Sequence, residues 1–252
     1  MIYSDISSWG IRPILFNIGD IAVPSYSFFI SLGLIVALSI YFWEAKKNNS
    51  FGENNIYIVF GALLGAVIGA KLLDFIVDYR YFIDNFWTVE TIFSGKTIVG
   101  GFIGGFIGVK ITKKLFNIKE KRGNLFAPAI AIGVAIGRIG CFLRGCCYGK
   151  PTNLPWGMDF GDGLLRHPTQ IYESLFMLAM FVYLEKIKNR GDIKSGQLFK
   201  ILMVSYFIFR FFIEFIRTQD VVFFGLTAFQ IISLFAIIYL IRDNLYLLYK
   251  KQ

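Results

Sequence analysis

Apolar residues in this chain gather into long blocks, and the Lys and Arg residues collect in the short loops between them. A helix needs about 20 consecutive apolar residues to cross the hydrocarbon core of a bilayer. Val221–Ile241 supplies 21 without a charge, and Ser25–Trp43 a further 19. Blocks of this kind predict about seven spans: Ser25–Trp43, Asn55–Val77, Thr97–Leu115, Leu125–Leu143, Pro168–Leu184, Leu198–Ile216 and Val221–Ile241. The third is the weakest, since its uncharged stretch is short. It is either a span whose Lys110, Lys113 and Lys114 snorkel to the interface or a re-entrant segment.

Composition agrees with this pattern. Hydrophobic residues make up 56% of the 252 positions and charged residues 17%, against about 45–50% and 25% in soluble domains. The expected fold is an all-α, polytopic membrane protein, with residues 1–252 forming a single domain. No internal repeat, low-complexity tract or linker divides the chain. The net charge of +9 does not point to nucleic acid, because the basic residues lie between the spans. There they report orientation and contact with anionic lipid heads. Alternate loops (44–54, 110–124, 185–200 and the C-terminal tail) hold sixteen Lys and Arg, and the opposite set holds seven. That asymmetry predicts an N-terminus outside and a C-terminus in the cytoplasm. The first residues, Met1-Ile2-Tyr3-Ser4-Asp5, lack a basic start and a small-residue cleavage site, so no removable signal peptide is expected.

Glycines recur every four residues on the second and third spans: Gly61, Gly65 and Gly69, then Gly100, Gly104 and Gly108. Gly133 and Gly137 repeat the spacing on the fourth. Rows of small residues let helix backbones approach closely in lipid, and close packing is their expected role.

Charges inside spans cost roughly 2.5–3.5 kcal/mol each at the bilayer centre on insertion scales. This chain places Arg138 on the fourth span, Glu173 on the fifth, and Arg210, Glu214 and Arg217 on the sixth. Tyr206, Arg210, Glu214 and Arg217 share one helix face at 3.6 residues per turn. Such a stripe is either an ion-pair ladder that locks helices together or a water-accessible anion site. Arg suits the second because its planar fork grips phosphate in a bidentate manner. The predicted orientation brings Arg138, the Gly140–Lys150 segment, Arg166, His167, Tyr172, Glu173 and Arg210 to Arg217 toward one leaflet.

Cys141, Cys146 and Cys147 give a C-x4-C-C pattern, with His167 as the sole histidine. Structural zinc sites use four ligands at favourable spacing, so no metal is expected. An odd cysteine count does not make a closed disulfide framework, and small buried packing is the ordinary role of cysteine. His167, before Pro168 at a helix start, either bonds to the helix end or takes part in the site.

Together these residues carry a resemblance. Gly137-Arg138-Ile139-Gly140-Cys141-Phe142-Leu143-Arg144-Gly145 resembles the signature of the prolipoprotein diacylglyceryl transferase family. Arg166-His167-Pro168-Thr169-Gln170-Ile171-Tyr172-Glu173 is similar to the family's fifth-helix segment. Arg210, Glu214 and Arg217, with Tyr206 one turn earlier, resemble its sixth-helix motif. Gly225-Leu226-Thr227 with Gln230 and Ser233 resembles its last helix, and Val23-Pro24-Ser25-Tyr26 its first. The matches run in order along essentially the whole chain.

The resemblance implies a multi-pass enzyme of the bacterial cytoplasmic (inner) membrane with seven helices. Its activity would move the diacylglyceryl group of phosphatidylglycerol to the lipobox cysteine of a prolipoprotein. A thioether forms, glycerol-1-phosphate leaves, and no cofactor is needed. The implied catalytic residues are Arg138, Arg210, Glu214 and Tyr26. The implied substrate-binding set is Arg138, Tyr206, Arg217, His167, Tyr172, Glu173, Gly100 and Gly101. The chain departs from the family pattern at two places. Val99 stands where many members have a histidine before Gly-Gly, and Cys141 and Cys146 stand where many have Asn and Glu. Two alternatives stay open beside the transferase: a diverged member with another acceptor, and a membrane transporter or anionic-lipid-binding protein without catalysis.

Overall fold

The computed structural model of the chain describes residues 11–77, 97–191 and 193–249. The residues divide into two compact units, one formed by Met1–Lys47 with Lys121–Gln252 and the other by Asn48–Glu120.

The second unit is a pair of packed helices, α2 (Glu53–Val77) and α3 (Ile98–Leu115). Their seam is the two glycine rows. A Cβ added to Gly69 would lie 2.5 Å from the Gly100 carbonyl oxygen and 2.6 Å from Gly104 Cα. Gly65 faces Gly104, and Gly61 faces Gly108, with similarly little room. The backbones therefore touch along the whole pair, and dispersion between them replaces side-chain interdigitation. Thr97 caps α3 by accepting from the Gly100 N–H at 3.1 Å. The third block is thus one unbroken 18-residue helix. Opposite the seam, Phe60, Leu64, Val67, Ile68, Leu72 and Phe75 leave α2 with an exposed apolar face.

The first unit opens with a hairpin, β1 (Ile14–Ile18) and β2 (Ile21–Pro24), leading directly into α1 (Ser25–Lys47). Next come α4 (Gly123–Arg144), α5 (Thr169–Lys188), α6 (Gln197–Ile213) and α7 (Ala228–Tyr249). Helix α4 is the inner one: 56% of its most apolar window is buried, against 22% for α1. It packs on α1, α5 and α6. Small residues again set the approach, since a Cβ on Gly33 of α1 would meet the Gly133 carbonyl oxygen at 2.5 Å. Helices α1, α2 and α4 are long and apolar enough to cross a membrane, and the chain is a mostly helical membrane protein.

Two expected boundaries move. The seventh apolar block does not begin as helix. Phe224 and Gly225 take positive φ (48° and 74°) and turn Val221–Phe223 (β3) back onto Leu226–Thr227 (β4). The helix starts only at Ala228. There Thr227 N–H donates to Gln230 Oε1 (2.9 Å) and Gln230 N–H donates to Thr227 Oγ1 (3.3 Å). This reciprocal pair satisfies two orphan donors of the first turn. An uncharged run alone cannot separate hairpin from helix. The sixth helix ends at Ile213, and Glu214–Ile216 tighten into a 3-10 turn. The Ile216 carbonyl there accepts the Lys150 N–H at 2.7 Å, which pulls the chain out of the helix.

Candidate functional site

Three chain segments meet at one end of the first unit. Helix α4 stops at Gly145, whose left-handed φ of 72° reverses the chain. The loop after it threads between the start of α5 and the end of α6. Gly149 N–H donates to the His167 carbonyl (2.8 Å), His167 N–H to the Lys150 carbonyl (3.1 Å), and Lys150 N–H to the Ile216 carbonyl (2.7 Å). Gly149 is forced by contact. A Cβ there would sit 2.5 Å from Ile216 O, 2.9 Å from His167 Cβ and 2.9 Å from Thr169 Cγ2.

Side chains tighten the same junction. Thr169 Oγ1 donates to the Cys147 carbonyl at 2.7 Å, and Arg217 Nη1 donates to it at 3.3 Å. Gln170 Nε2 donates to the Cys146 carbonyl. The cysteine segment therefore serves the site through its main chain. Its three thiols are free, and Cys141 Sγ lies 3.8 Å from Arg138 Nη1.

Within this frame lies a buried cluster of three guanidiniums and two carboxylates. Arg138 of α4 is ion-paired to Glu173 of α5. Tyr206 of α6 donates its hydroxyl to the other oxygen of Glu173 at 3.0 Å. Arg210 Nη2 lies 2.9 Å from Glu214, and Arg217 Nε lies 3.7 Å from the same oxygen. Arg210 also stands over the Phe229 ring, 4.9 Å from its centroid. Arg138, Glu173, Tyr206, Arg210, Glu214 and Arg217 are all buried, and the cluster carries one surplus positive charge.

The cluster is not internally saturated. The Nε–H groups of Arg138, Arg210 and Arg217 are buried without a hydrogen-bond partner, and so are Gln170 Oε1, Glu173 Oε2 and both carboxylate oxygens of Glu214. Buried polar atoms are normally paired, so orphaned donors of this kind mark a place for a ligand or water. Three unsatisfied N–H groups on cations suit an anion with several oxygens.

The remaining sequence-predicted residues make other contacts. Tyr26 of α1 carries the Arg144 guanidinium over its ring at 5.1 Å. Tyr172 accepts from Trp156 Nε1 at 2.7 Å, and its hydroxyl lies 3.3 Å from His167 Nδ1. Arg166 pairs with Asp162 on the exposed Met158–Arg166 hairpin, and its hydrogen bond holds the Asp162 carboxyl below the usual range. Gly100 and Gly101 belong to the second unit. Gly100 is buried in the α2–α3 seam, whereas a Cβ on Gly101 would meet only Ala66 O at 3.8 Å. Val99 is buried on the same helix.

Sequence reasoning paired Glu214 with Arg210 and Arg217, and the structure joins them. It did not foresee the Arg138–Glu173 pair, nor Thr169 and Gln170 as anchors of the loop. Their signal was present: Gln170 and Glu173 are polar residues one turn apart at the start of an apolar block.

The family model for prolipoprotein diacylglyceryl transferase matches residues 13–242. The chain is similar to the phosphatidylglycerol--prolipoprotein diacylglyceryl transferase of Clostridium tetani, 35% identical over 90% of this chain and 94% of the relative. The enzyme of the same name from Finegoldia magna is 36% identical over 95% and 96% of the two chains. That of Bordetella parapertussis is 32% identical over 83% and 84%.

Proposed function

The chain belongs to the prolipoprotein diacylglyceryl transferase family, and from that premise we propose that it transfers the diacylglyceryl group of phosphatidylglycerol to the lipobox cysteine of prolipoproteins. The sulfur of that cysteine forms a thioether to the glyceryl carbon, and glycerol-1-phosphate departs. The observation that carries this reading is the buried Arg138–Arg210–Arg217 cluster with three unpartnered Nε–H groups. A departing phosphate needs fixed positive charge that requires no reorganisation during the reaction. Arg138 and Arg210 supply it. Glu214 orients Arg210 and Arg217, while Glu173 and Tyr206 fix Arg138. Tyr26, His167 and Tyr172 line the approach, while Gly100 packs in the seam of the second unit. No cofactor enters.

In this reading the chain crosses the bacterial cytoplasmic membrane seven times with its N-terminus outside. The loop charge asymmetry supports that orientation. The site then opens toward the outer leaflet, where secreted prolipoproteins arrive.

Val99 and Cys146 favour a second reading, a diverged member acting on another acceptor. The test is transfer of labelled lipid from phosphatidylglycerol to a lipobox peptide, paired with expression in cells depleted of their own transferase. Modified prolipoprotein in both settings is the expected result. Transfer to no lipobox peptide, with phosphatidylglycerol still consumed, would favour the second reading.

A further inference from the structure

Gln170 is fully buried at the first turn of α5. Its amide nitrogen is committed to the Cys146 carbonyl, which fixes the amide orientation and makes Oε1 the free end. That oxygen has no partner. Its neighbour Thr169 binds the Cys147 carbonyl that also holds Arg217. One turn along α5, Glu173 holds Arg138. Gln170 thus sits in the same junction as two of the site's guanidiniums. The orphaned atoms of the cluster itself are guanidinium donors and carboxylate oxygens of Glu173 and Glu214, and Gln170 Oε1 is the one neutral orphaned side-chain acceptor among the described residues.

An anion satisfies guanidinium donors but cannot satisfy an amide oxygen. A hydroxyl can. We propose that Gln170 is a specificity-determining residue that accepts a hydrogen bond from a hydroxyl of the substrate's phosphoglycerol headgroup. This rests on the transferase reading above. A phosphate ester carrying a nearby diol meets both needs of the junction, and a headgroup without hydroxyls leaves Oε1 buried and unpaired. Sites built to bond a hydroxyl reject the analogue that lacks it, because the protein's own polar group is stranded.

The experiment is competition between phosphatidylglycerol and phosphatidylpropanol in one vesicle, with the full-length enzyme and a lipobox peptide. Both lipids can donate the same diacylglyceryl group, leaving glycerol phosphate or propyl phosphate. The released phosphate esters report the ratio of the two kcat/KM values, whatever fraction of the enzyme is folded. The wild-type chain should prefer phosphatidylglycerol by about tenfold or more, the worth of one buried hydrogen bond. Gln170→Met should bring the ratio to within about twofold of one. Gln170→Asn, with the same amide on a shorter stem, should also lower the ratio. It provides the measurement if the Met variant does not insert. A wild-type enzyme without preference overturns the proposal, and so does a variant that slows both lipids equally, the mark of a purely structural residue. Transfer from neither lipid by the wild-type chain overturns the transferase reading itself, and this proposal falls with it.

Discussion

Arg138 and Glu173 form an ion pair between α4 and α5 with both side chains buried. Breaking a buried pair by removing one partner leaves an uncompensated charge and costs about 3–5 kcal/mol, whereas replacing both by apolar groups is often neutral. Arg138→Ala should therefore lose both stability and activity, while Arg138→Met with Glu173→Met should recover stability without activity. Thermal unfolding in detergent and lipid transfer measured on the same samples separate the two effects. Recovery of activity in the double variant would reduce the pair to a structural clamp.

Arg210 makes a simpler case, because Glu214 is also near Arg217 and is not left alone when Arg210 is removed. Arg210→Ala should lower transfer by about 10²–10³, the usual loss for one electrostatic donor. Arg210→Lys should restore only part, since an ammonium keeps the charge but loses the planar fork and its stacking on Phe229. Normal turnover in a folded Ala variant would favour the ion-pair ladder over an anion site.

Much of this arrangement was legible before the fold. Among the described residues, six of the seven α-helices coincide with their apolar blocks to within a few residues, because a long block with few charges reports a continuous apolar helix. The glycine rows announced the α2–α3 seam. The stripe from Tyr206 to Arg210 was readable from a period of 3.6 residues, but Arg217 lies past the 3-10 turn in extended backbone, outside the helix. The β3–β4 hairpin was not, since Val221–Phe224 is as apolar as a helix and only the Thr227–Gln230 cap marks the true start. The Arg138–Glu173 pair was illegible for another reason: it joins two helices, and helix periodicity carries no information across a loop.

Gly149 tests how tightly the junction is built. Its surroundings leave no room for a methyl group, and one obstacle is the Ile216 backbone, which cannot rotate away. Gly149→Ala should displace the Lys150–Ile216 hydrogen bond and with it Arg217, lowering transfer by more than tenfold, on the order of the cost of overpacking. Gly101→Ala, whose Cβ would make only an ordinary contact with Ala66 O at 3.8 Å, should retain packing. Transfer assays and unfolding midpoints of the two variants provide the comparison; equal behaviour would show that the junction relaxes.

Orientation is read with single cysteine probes in a background whose own three cysteines are replaced by alanine. A probe at Asn117 or Asn189 should label only from the cytoplasmic side. One at Asn85, outside the described residues, should label from outside. Labelling of Asn189 in intact cells would reverse the orientation and turn the Arg138 cluster away from secreted substrates.

Glu214 and the cysteines bear on how the proposed transfer would proceed with Val99 and Cys146 at the positions where the resemblance implies a histidine and a carboxylate. The site's contacts with Cys146 and Cys147 run through their carbonyl oxygens, so Cys146→Ala and Cys147→Ala should leave the frame intact and be tolerated. Glu214 holds two guanidiniums through its carboxylate, so Glu214→Gln should be severe, with a loss comparable to Arg210→Ala. The nucleophile belongs to the substrate, and a thiol has an ordinary pKa of about 8.5. Only the thiolate attacks. With no strong neutral base beside it, the thiolate forms mainly by ionisation in the positive field of the cluster. Transfer should then rise as pH increases from 6 through the thiol's pKa and level off above it. Rates across that range, for the wild-type chain and Cys146→Ala, decide the matter. A flat profile would show that deprotonation is not coupled to bulk pH, and loss of transfer in folded Cys146→Ala would assign that thiol a chemical role.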